Sequence, residues 1–274
     1  MNDVTASCKI CQSPTTLFDV VDRSKICDLK NVYPAGLSGT PVYYERCQSC
    51  GFLFTRHFDS YQADDWTREI YNGEYARLDP EYHGERAHRN ASLLQFMFSR
   101  QRASIIGLDY GGGNGATSQS LRQIGFNFDS HDPFGFSDMT PHKAGTYNLV
   151  TAFEVFEHVP DPVSTLATIM NYMADGPAIL IIGTLSSDGR VDNRSRLAWW
   201  YAAPRNGHIS LYSKRSLATL AQKFGLHCAS PLPGTHIMSR RSISTLTTSS
   251  LVLGKLITRL RETISQRLRL SSAR

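Results

Sequence analysis

The run Asp109-Tyr110-Gly111-Gly112-Gly113-Asn114-Gly115 closes an apolar stretch and opens a helical one, and it restricts the fold more than any other part of the chain. Glycines at such a junction let the backbone turn tightly and let a ligand approach the main chain with no Cβ in the way. Around it, short apolar runs at 104–110, 126–131, 147–153 and 178–183 read as strands. Segments 116–124, closed by Gly125, and 162–173, with Pro162 at its start, read as helices between them. Ser213 is a good N-cap for a helix reaching Phe224, with Gly225 as its C′ residue, and 226–229 with 235–239 reads as a closing antiparallel hairpin. Strands alternating with helices imply right-handed crossovers and a parallel sheet covered on both faces.

The glycines alone do not choose the ligand. Gly111, Gly113 and Ala116 also satisfy the dinucleotide fingerprint, with Asp132 at a suitable distance for a ribose-binding acid. Two features favour a cationic nucleoside ligand with an amino group. One is Asp109, an acid two residues before the first glycine, where a pyrophosphate would be repelled. The other is the later segment Glu154-Val155-Phe156-Glu157-His158-Val159-Pro160-Asp161-Pro162. A sulfonium cofactor, S-adenosyl-L-methionine, meets that electrostatic demand, whereas a nicotinamide-dependent reading requires NAD.

These two motifs resemble the D-x-G-x-G-x-G and E-V-x-E-H-V-x-D-P segments of the class I methyltransferases. The resemblance covers about 104–239. It implies a Rossmann-like α/β sheet, parallel with a closing antiparallel hairpin, in which Asp109, Gly111 and Gly113 line the methionine side of the cofactor. It further implies that Asp132 binds the ribose hydroxyls and that Glu154 borders the cleft. Only 14 residues, 133–146, separate Asp132 from Tyr147. The helix and third strand that such proteins place there are therefore expected to be lost or vestigial, with Asp138 a candidate adenine contact.

Ahead of this domain, Cys8-x-x-Cys11 and Cys47-x-x-Cys50 are separated by 35 residues, and Gly51 follows the second pair. Two such pairs in a reducing compartment point to metal rather than disulfides. Four thiolates in tetrahedral array make a closed, structural zinc site, with Zn–S near about 2.3 Å and no open position for catalysis. Cys27 and Cys228 are left over as buried apolar residues. Pro14, Pro34, Gly36, Gly39 and Pro41 punctuate the interval, so long regular elements are not expected there. Trp66 to Tyr75 and Arg86 to Arg102 read as helical pieces of a bridge or lid. The division that follows is a zinc module at 1–60, a lid at 61–103, a cofactor-binding domain at 104–240 and a basic tail at 241–274.

A four-cysteine module before such a domain is similar to the nucleotide-deoxysugar C-methyltransferases, as are the segments Arg46–Leu53 and Gly207-His208-Ile209-Ser210-Leu211-Tyr212-Ser213. The resemblance makes His208 the general base beside a sugar acceptor. It departs in two respects: Gly207 stands where those proteins have an acid, and their long C-terminal domain has no counterpart. In Trp199 to His208, Tyr201 and Arg205 are expected to form an acceptor wall able to stack on a ring and clamp phosphate. The alternative is that this stretch is core packing. His158 is a second catalytic candidate, although a helix-initiating histidine packed beside the cleft fits its position equally well.

Charge and composition narrow the function classes. The formal net charge is +5, but residues 239–274 hold eight Lys or Arg against the one acid Glu262, so the rest of the chain is slightly acidic. A nucleic-acid partner is therefore not expected. The tail spaces Leu253, Leu256, Ile257, Leu260, Ile264 and Leu268 as an amphipathic basic helix, suited to docking or self-association, with weak membrane-surface attachment the second reading. No secretory signal or membrane span stands out, which gives a cytoplasmic expectation. The function expected is S-adenosylmethionine-dependent methyl transfer to a small-molecule acceptor, a sugar or nucleotide-sugar among the candidates. The alternatives are an O- or N-methyltransferase of another metabolite or lipid precursor, and a non-catalytic zinc and nucleotide-binding scaffold.

Overall fold

A computed structural model describes residues 6–79, 84–134 and 144–243. Residues 244–274 of the basic tail and Asp138 lie outside the described residues. Two sheets organise the chain. A six-stranded sheet runs in the order β5 (Asn127–His131), β4 (Ile106–Tyr110), β6 (Leu149–Phe153), β7 (Ile179–Gly183), β10 (Thr235–Ser239), β9 (His227–Leu232). The first four strands are mutually parallel, and the β9–β10 hairpin closes the edge in antiparallel register. This is the Rossmann-like mixed α/β arrangement that the sequence led us to expect. No strand flanks β5 on its outer side among the described residues.

The inner strands are buried on both faces, which is why Leu149-Val150-Thr151-Ala152 and Leu180-Ile181-Ile182 read as continuous rather than alternating apolar runs. The connecting helices are α4 (Ala116–Gln123), α5 (Pro162–Tyr172) and α6 (Lys214–Lys223). Asp161 caps α5, accepting from Val163 and Ser164 N–H at 3.0 and 3.1 Å, and Pro162 occupies the first turn, where a missing N–H costs nothing. Ser213 caps α6 by accepting from Ser216 N–H, and Gly225, at φ +66°, ends it.

The N-terminal sheet differs from expectation. Despite the Pro and Gly between the cysteine pairs, β1 (Thr15–Asp22) and β2 (Pro41–Cys47) form a regular antiparallel pair, because the prolines and glycines fall in the connection and at its ends. Next to β2 lies β3 (Leu53–Thr55). The fourth strand, β8 (Ser210–Leu211), comes from the far side of the chain: Leu53 pairs with Leu211 and Phe54 with Ser210. Cys8, Cys47, Cys50, Phe52 and Phe54 accordingly share one apolar core with Leu108, Val150, Leu180 and Leu217. Ser213 donates its hydroxyl to the Cys50 carbonyl at 2.7 Å, and Tyr212 stacks on Phe52 at 4.9 Å.

The bridge segment is broken rather than continuous. It contains α1 (Ala63–Glu69), the short α2 (Tyr75–Leu78) and α3 (Glu85–Phe98), with Gly73 in the turn between the first two. No helix among the described residues is long and apolar enough to cross a membrane.

Candidate functional site

The glycine loop, the end of β6 and the bridge helices enclose one cleft of about 400 Å3. Its floor is the loop itself. Gly111 has φ +73°, and a Cβ there would overlap Val155 Cγ2; a Cβ on Gly112 would overlap Ser130 Oγ. The main chain is thus laid directly against β5 and the post-β6 turn, which only glycine allows.

Two carboxylates flank the loop. Asp109 is 3% exposed and takes a hydrogen bond from the Thr151 hydroxyl at 2.6 Å. Burial raises its pKa to about 6, against the opposing pull of the Thr151 and Thr117 hydroxyls, and the nearby Asp132 charge adds to the rise. Asp132 follows β5 and accepts from Gly113 N–H and Phe134 N–H, both at 2.9 Å. Desolvation pushes its carboxyl above the usual range while these amides pull it back. Together they form an anionic cradle suited to a cationic, hydroxyl-rich ligand.

Glu154 ends β6 at φ +54°, a left-handed conformation unusual for a side-chain-bearing residue, and its N–H is held by the Gly183 carbonyl at 2.8 Å. Such a backbone persists only where its surroundings enforce it. Here it turns Glu154, Val155 and His158 toward the cleft, all three of which line it. The opposite wall is built by the bridge: Trp66, Tyr71, Tyr75, Arg86 and Asn90, with Phe134 beyond. Arg86 is held by a two-pronged ion pair to Asp79 at 2.9 and 3.0 Å. In the sequence these residues stand out only as parts of the two helical pieces expected at 66–75 and 86–102, and Phe134 not at all.

The acceptor wall expected from 199–208 is not on the cleft. Tyr201 is 2% exposed and sends its hydroxyl to Glu157, with Thr184 Oγ1 at 3.3 Å. Arg205 is spent on the Ile70 carbonyl and Asn72 Oδ1, both at 3.1 Å. Trp199 joins the core of the N-terminal sheet. Tyr201 and Arg205 are spent on neighbouring polar groups of the interior and Trp199 on apolar packing, so this stretch takes the core reading.

His208 is likewise interior, 6% exposed and absent from the cleft wall. Its Nδ1–H donates to the Tyr201 carbonyl at 2.9 Å, and its ring lies 4.8 Å from that of His158, centroid to centroid. Burial lowers its pKa to about 4 and holds His158 well below the usual imidazole range, so both rings are neutral at neutral pH. His158 is the member that meets the cleft. Glu157, fully buried beneath it, was not singled out by the sequence, and Cys27 Sγ, 3.3 Å from His208 Nδ1, completes this layer.

The sulfurs of Cys8, Cys11, Cys47 and Cys50 all lie within 4.8 Å of one another. The pairs Cys8–Cys50 and Cys11–Cys47 stand 3.7 and 3.4 Å apart, far beyond the S–S bond length. Ile10 N–H points at Cys8 Sγ at 3.4 Å and Cys50 N–H at Cys47 Sγ at 3.3 Å. Sulfurs converging while receiving amide hydrogens suit thiolates held for a tetrahedral metal.

A fold of parallel strands with a glycine loop at the carboxyl end of β4 defines a nucleotide-type α/β domain. The family model described as "Methyltransferase domain" matches residues 82–230, and the chain belongs to that family. It is therefore an enzyme of the methyltransferase class. No curated protein matches it. Among solved structures it is similar to the mitomycin 7-O-methyltransferase, at 17% identity over 67% of this chain and 62% of that one, with a TM-score of 0.45. The chain thus spans less than two thirds of that protein's length. It is also similar to the Burkholderia thailandensis 1,6-didemethyltoxoflavin-N1-methyltransferase, solved with S-adenosylhomocysteine (14% identity, 65% and 84% covered, TM-score 0.43). A third is the Synechocystis magnesium protoporphyrin IX methyltransferase with bound S-adenosylmethionine (14%, 68% and 94%, TM-score 0.39).

Proposed function

We propose that this chain transfers the methyl group of S-adenosyl-L-methionine to a ring-bearing small molecule held between the glycine loop and the bridge helices. The observation that carries the reading is the pairing of Asp109 and Asp132 on either side of a glycine loop, with both carboxyl-bearing residues and the loop lining one cleft. Asp109, Gly111 and Gly113 would hold the methionine end, Asp132 the ribose hydroxyls, and Glu154 the border with the acceptor. A dinucleotide pyrophosphate on the glycine loop would meet the Asp109 carboxylate, which argues against NAD.

Methyl transfer requires an acceptor lone pair to form a bond to the methyl carbon while the C–S bond breaks and its electron pair returns to sulfur. The protein's tasks are alignment and stabilisation of the deprotonated acceptor. Trp66, Tyr71, Tyr75 and Phe134 offer stacking faces for a ring, and Arg86 a fixed cation at its edge. On this reading His158 meets the acceptor, backed by Glu157 and His208, while Tyr201 and Arg205 position that cluster and the bridge.

The four cysteines would hold one structural zinc ion, with no part in the chemistry. Residues 1–60 then serve as scaffold, 61–103 as acceptor wall and 104–240 as cofactor domain. The cysteine module and the 207–213 segment make nucleotide-sugars the first acceptors to try, and the free thiols suit a cytoplasmic setting. Calorimetric titration with S-adenosylmethionine, S-adenosylhomocysteine and NAD tests the core of the proposal. Binding of the first two and not the third is expected, and NAD binding alone would overturn it.

A further inference from the structure

We propose that Glu157, His158 and His208 form a binding site for one divalent first-row transition cation just behind the cleft wall, where His158 meets the cleft. An oxygen of Glu157 and one ring nitrogen from each histidine lie within 4.8 Å of one another. The backbone brings them together: the Ile209 N–H donates to the Glu157 carbonyl at 2.8 Å, tying the segment that carries His208 to the turn that carries the other two. The cluster is separate from the four-cysteine site and of different chemistry.

Two of its atoms receive no hydrogen bond of ordinary geometry, although the Thr184 hydroxyl lies near Glu157 and the Gly207 backbone near His158. Glu157 is fully buried; Tyr201 serves its Oε1, and Oε2 is left over. His158 Nδ1 is buried and left over as well. An unmet buried polar atom costs on the order of 1–3 kcal/mol, and more when charged. One of the two is an acid oxygen and the other an imidazole nitrogen, on adjacent residues of one cluster, and both are suited to a shared partner carrying positive charge. A cation satisfies both at once.

The third member is already set up for ligation. The Tyr201 carbonyl can only accept, so the proton of neutral His208 sits on Nδ1 and the lone pair on Nε2. A ligating histidine is commonly fixed in this way, by donating its second ring nitrogen to a backbone carbonyl. Two imidazoles and one carboxylate suit Zn2+, Fe2+ or Mn2+ and leave coordination positions open, whereas Mg2+ and Ca2+ favour all-oxygen sets. His158 lines the cleft, so an open position there is reachable from the acceptor side.

This inference rests on the proposed function and narrows its acceptor class to molecules that offer a hydroxyl or enol oxygen at or beside the methylated atom. Bound to the cation, that oxygen releases its proton to water at a lower pH and keeps its electron pair for the cation or the methyl carbon.

The test uses the full, zinc-replete chain and Mn2+ as probe, because a thiolate site discriminates against that ion. Loss of the free Mn2+ electron paramagnetic resonance signal counts bound ions. One tight site per chain is expected. It should weaken at least tenfold in Glu157→Gln, which keeps the shape and the Tyr201 contact, and in His158→Gln, which lies at the cleft wall. Asp175→Asn, at an exposed carboxylate, should leave it intact. Circular dichroism checks that each variant is folded, and S-adenosylmethionine titration of the same samples reads the proposed function separately. Wild-type protein that takes up no Mn2+, or folded Glu157→Gln and His158→Gln variants that bind it as wild type does, would overturn the site. Failure to bind S-adenosylmethionine with the Mn2+ count intact would instead overturn the methyl-transfer reading.

Discussion

Gly207 and His158 occupy adjoining space: a Cβ on Gly207 would stand 2.9 Å from His158 Nδ1 and 3.3 Å from Ile70 Cγ2. The glycine also has φ +81°, where side-chain-bearing residues are strained. The ring of His158 thus lies against the space that a side chain at 207 would need, and the glycine leaves room for the imidazole beside the cleft. Gly207→Ala is expected to displace His158, lowering turnover at least tenfold while costing only about 1–2 kcal/mol of stability. Cofactor affinity should hold within about twofold, since the glycine loop is untouched. Steady-state kinetics beside calorimetry checks this, and unchanged kcat in the variant would show that His158 has no part in the reaction.

Gly111 and Gly113 look alike in the sequence and differ in space. A side chain at 111 overlaps Val155, whereas nothing lies within 4 Å of one at 113. Gly111→Ala is expected to weaken S-adenosylmethionine binding by about tenfold or more and to destabilise the fold by about 1–3 kcal/mol. Gly113→Ala should cost only the strain of its positive φ, about 1 kcal/mol. Equal effects from the two variants, measured by urea unfolding and calorimetry, would refute the close-approach account of residue 111.

Asp109 gives the proposed cofactor site a pH dependence. Its carboxyl titrates near 6 in the folded protein, above the ordinary 3.8, so between those values the ligand-free fold holds a proton that the unfolded chain has lost. Its stabilising contribution is full below the unfolded value and is lost as pH rises through about 6. A cationic ligand reverses the preference. Affinity for S-adenosylmethionine should therefore rise with pH up to about 6, by at most tenfold per unit, with net proton release at about pH 5. Calorimetry in buffers of different ionisation enthalpy reads that proton directly, and Asp109→Asn should abolish it. Buffer-independent heats in the wild type would contradict the assignment.

Ser213 serves two masters, the N-terminus of α6 and the Cys50 carbonyl. Ser213→Ala removes a cap worth about 1 kcal/mol and leaves a buried carbonyl unpaired at a further 1–3 kcal/mol. We expect a lower melting temperature and faster extraction of zinc by a chelator than in the wild type. Zinc content near one per chain, falling with Cys11→Ser, is the companion measurement. Metal-free wild-type protein with the same melting temperature would remove the zinc site altogether.

The catalytic half was legible because its signals are local. Strand composition, the glycine loop, the Ser213 cap and Pro162 each act within a few residues, and β4, α4, α5, β7 and α6 begin and end within one or two residues of their expected bounds. What escaped depends on distant partners. The pairing of Leu211 with Leu53 joins positions 158 apart, and no local pattern encodes it. Tyr201 and Arg205 look like binding residues in sequence because their chemistry is that of binding residues; only the buried Glu157 and the Ile70 carbonyl explain why they point inward. The bridge aromatics were visible as a group, yet which of them face the cleft follows from the break at Gly73 between α1 and α2.

The two-residue strand β8 has a consequence for the order of events during synthesis. A ribosome releases β1, β2 and β3 early, but their outer edge stays open until residues 210 and 211 emerge and dock against it. The nascent chain must therefore carry an unfinished, pairing-competent margin through most of its translation, and the charged Arg56, directly after β3 and held by Glu45 of the neighbouring β2, is placed to discourage a stray strand from taking the vacancy first.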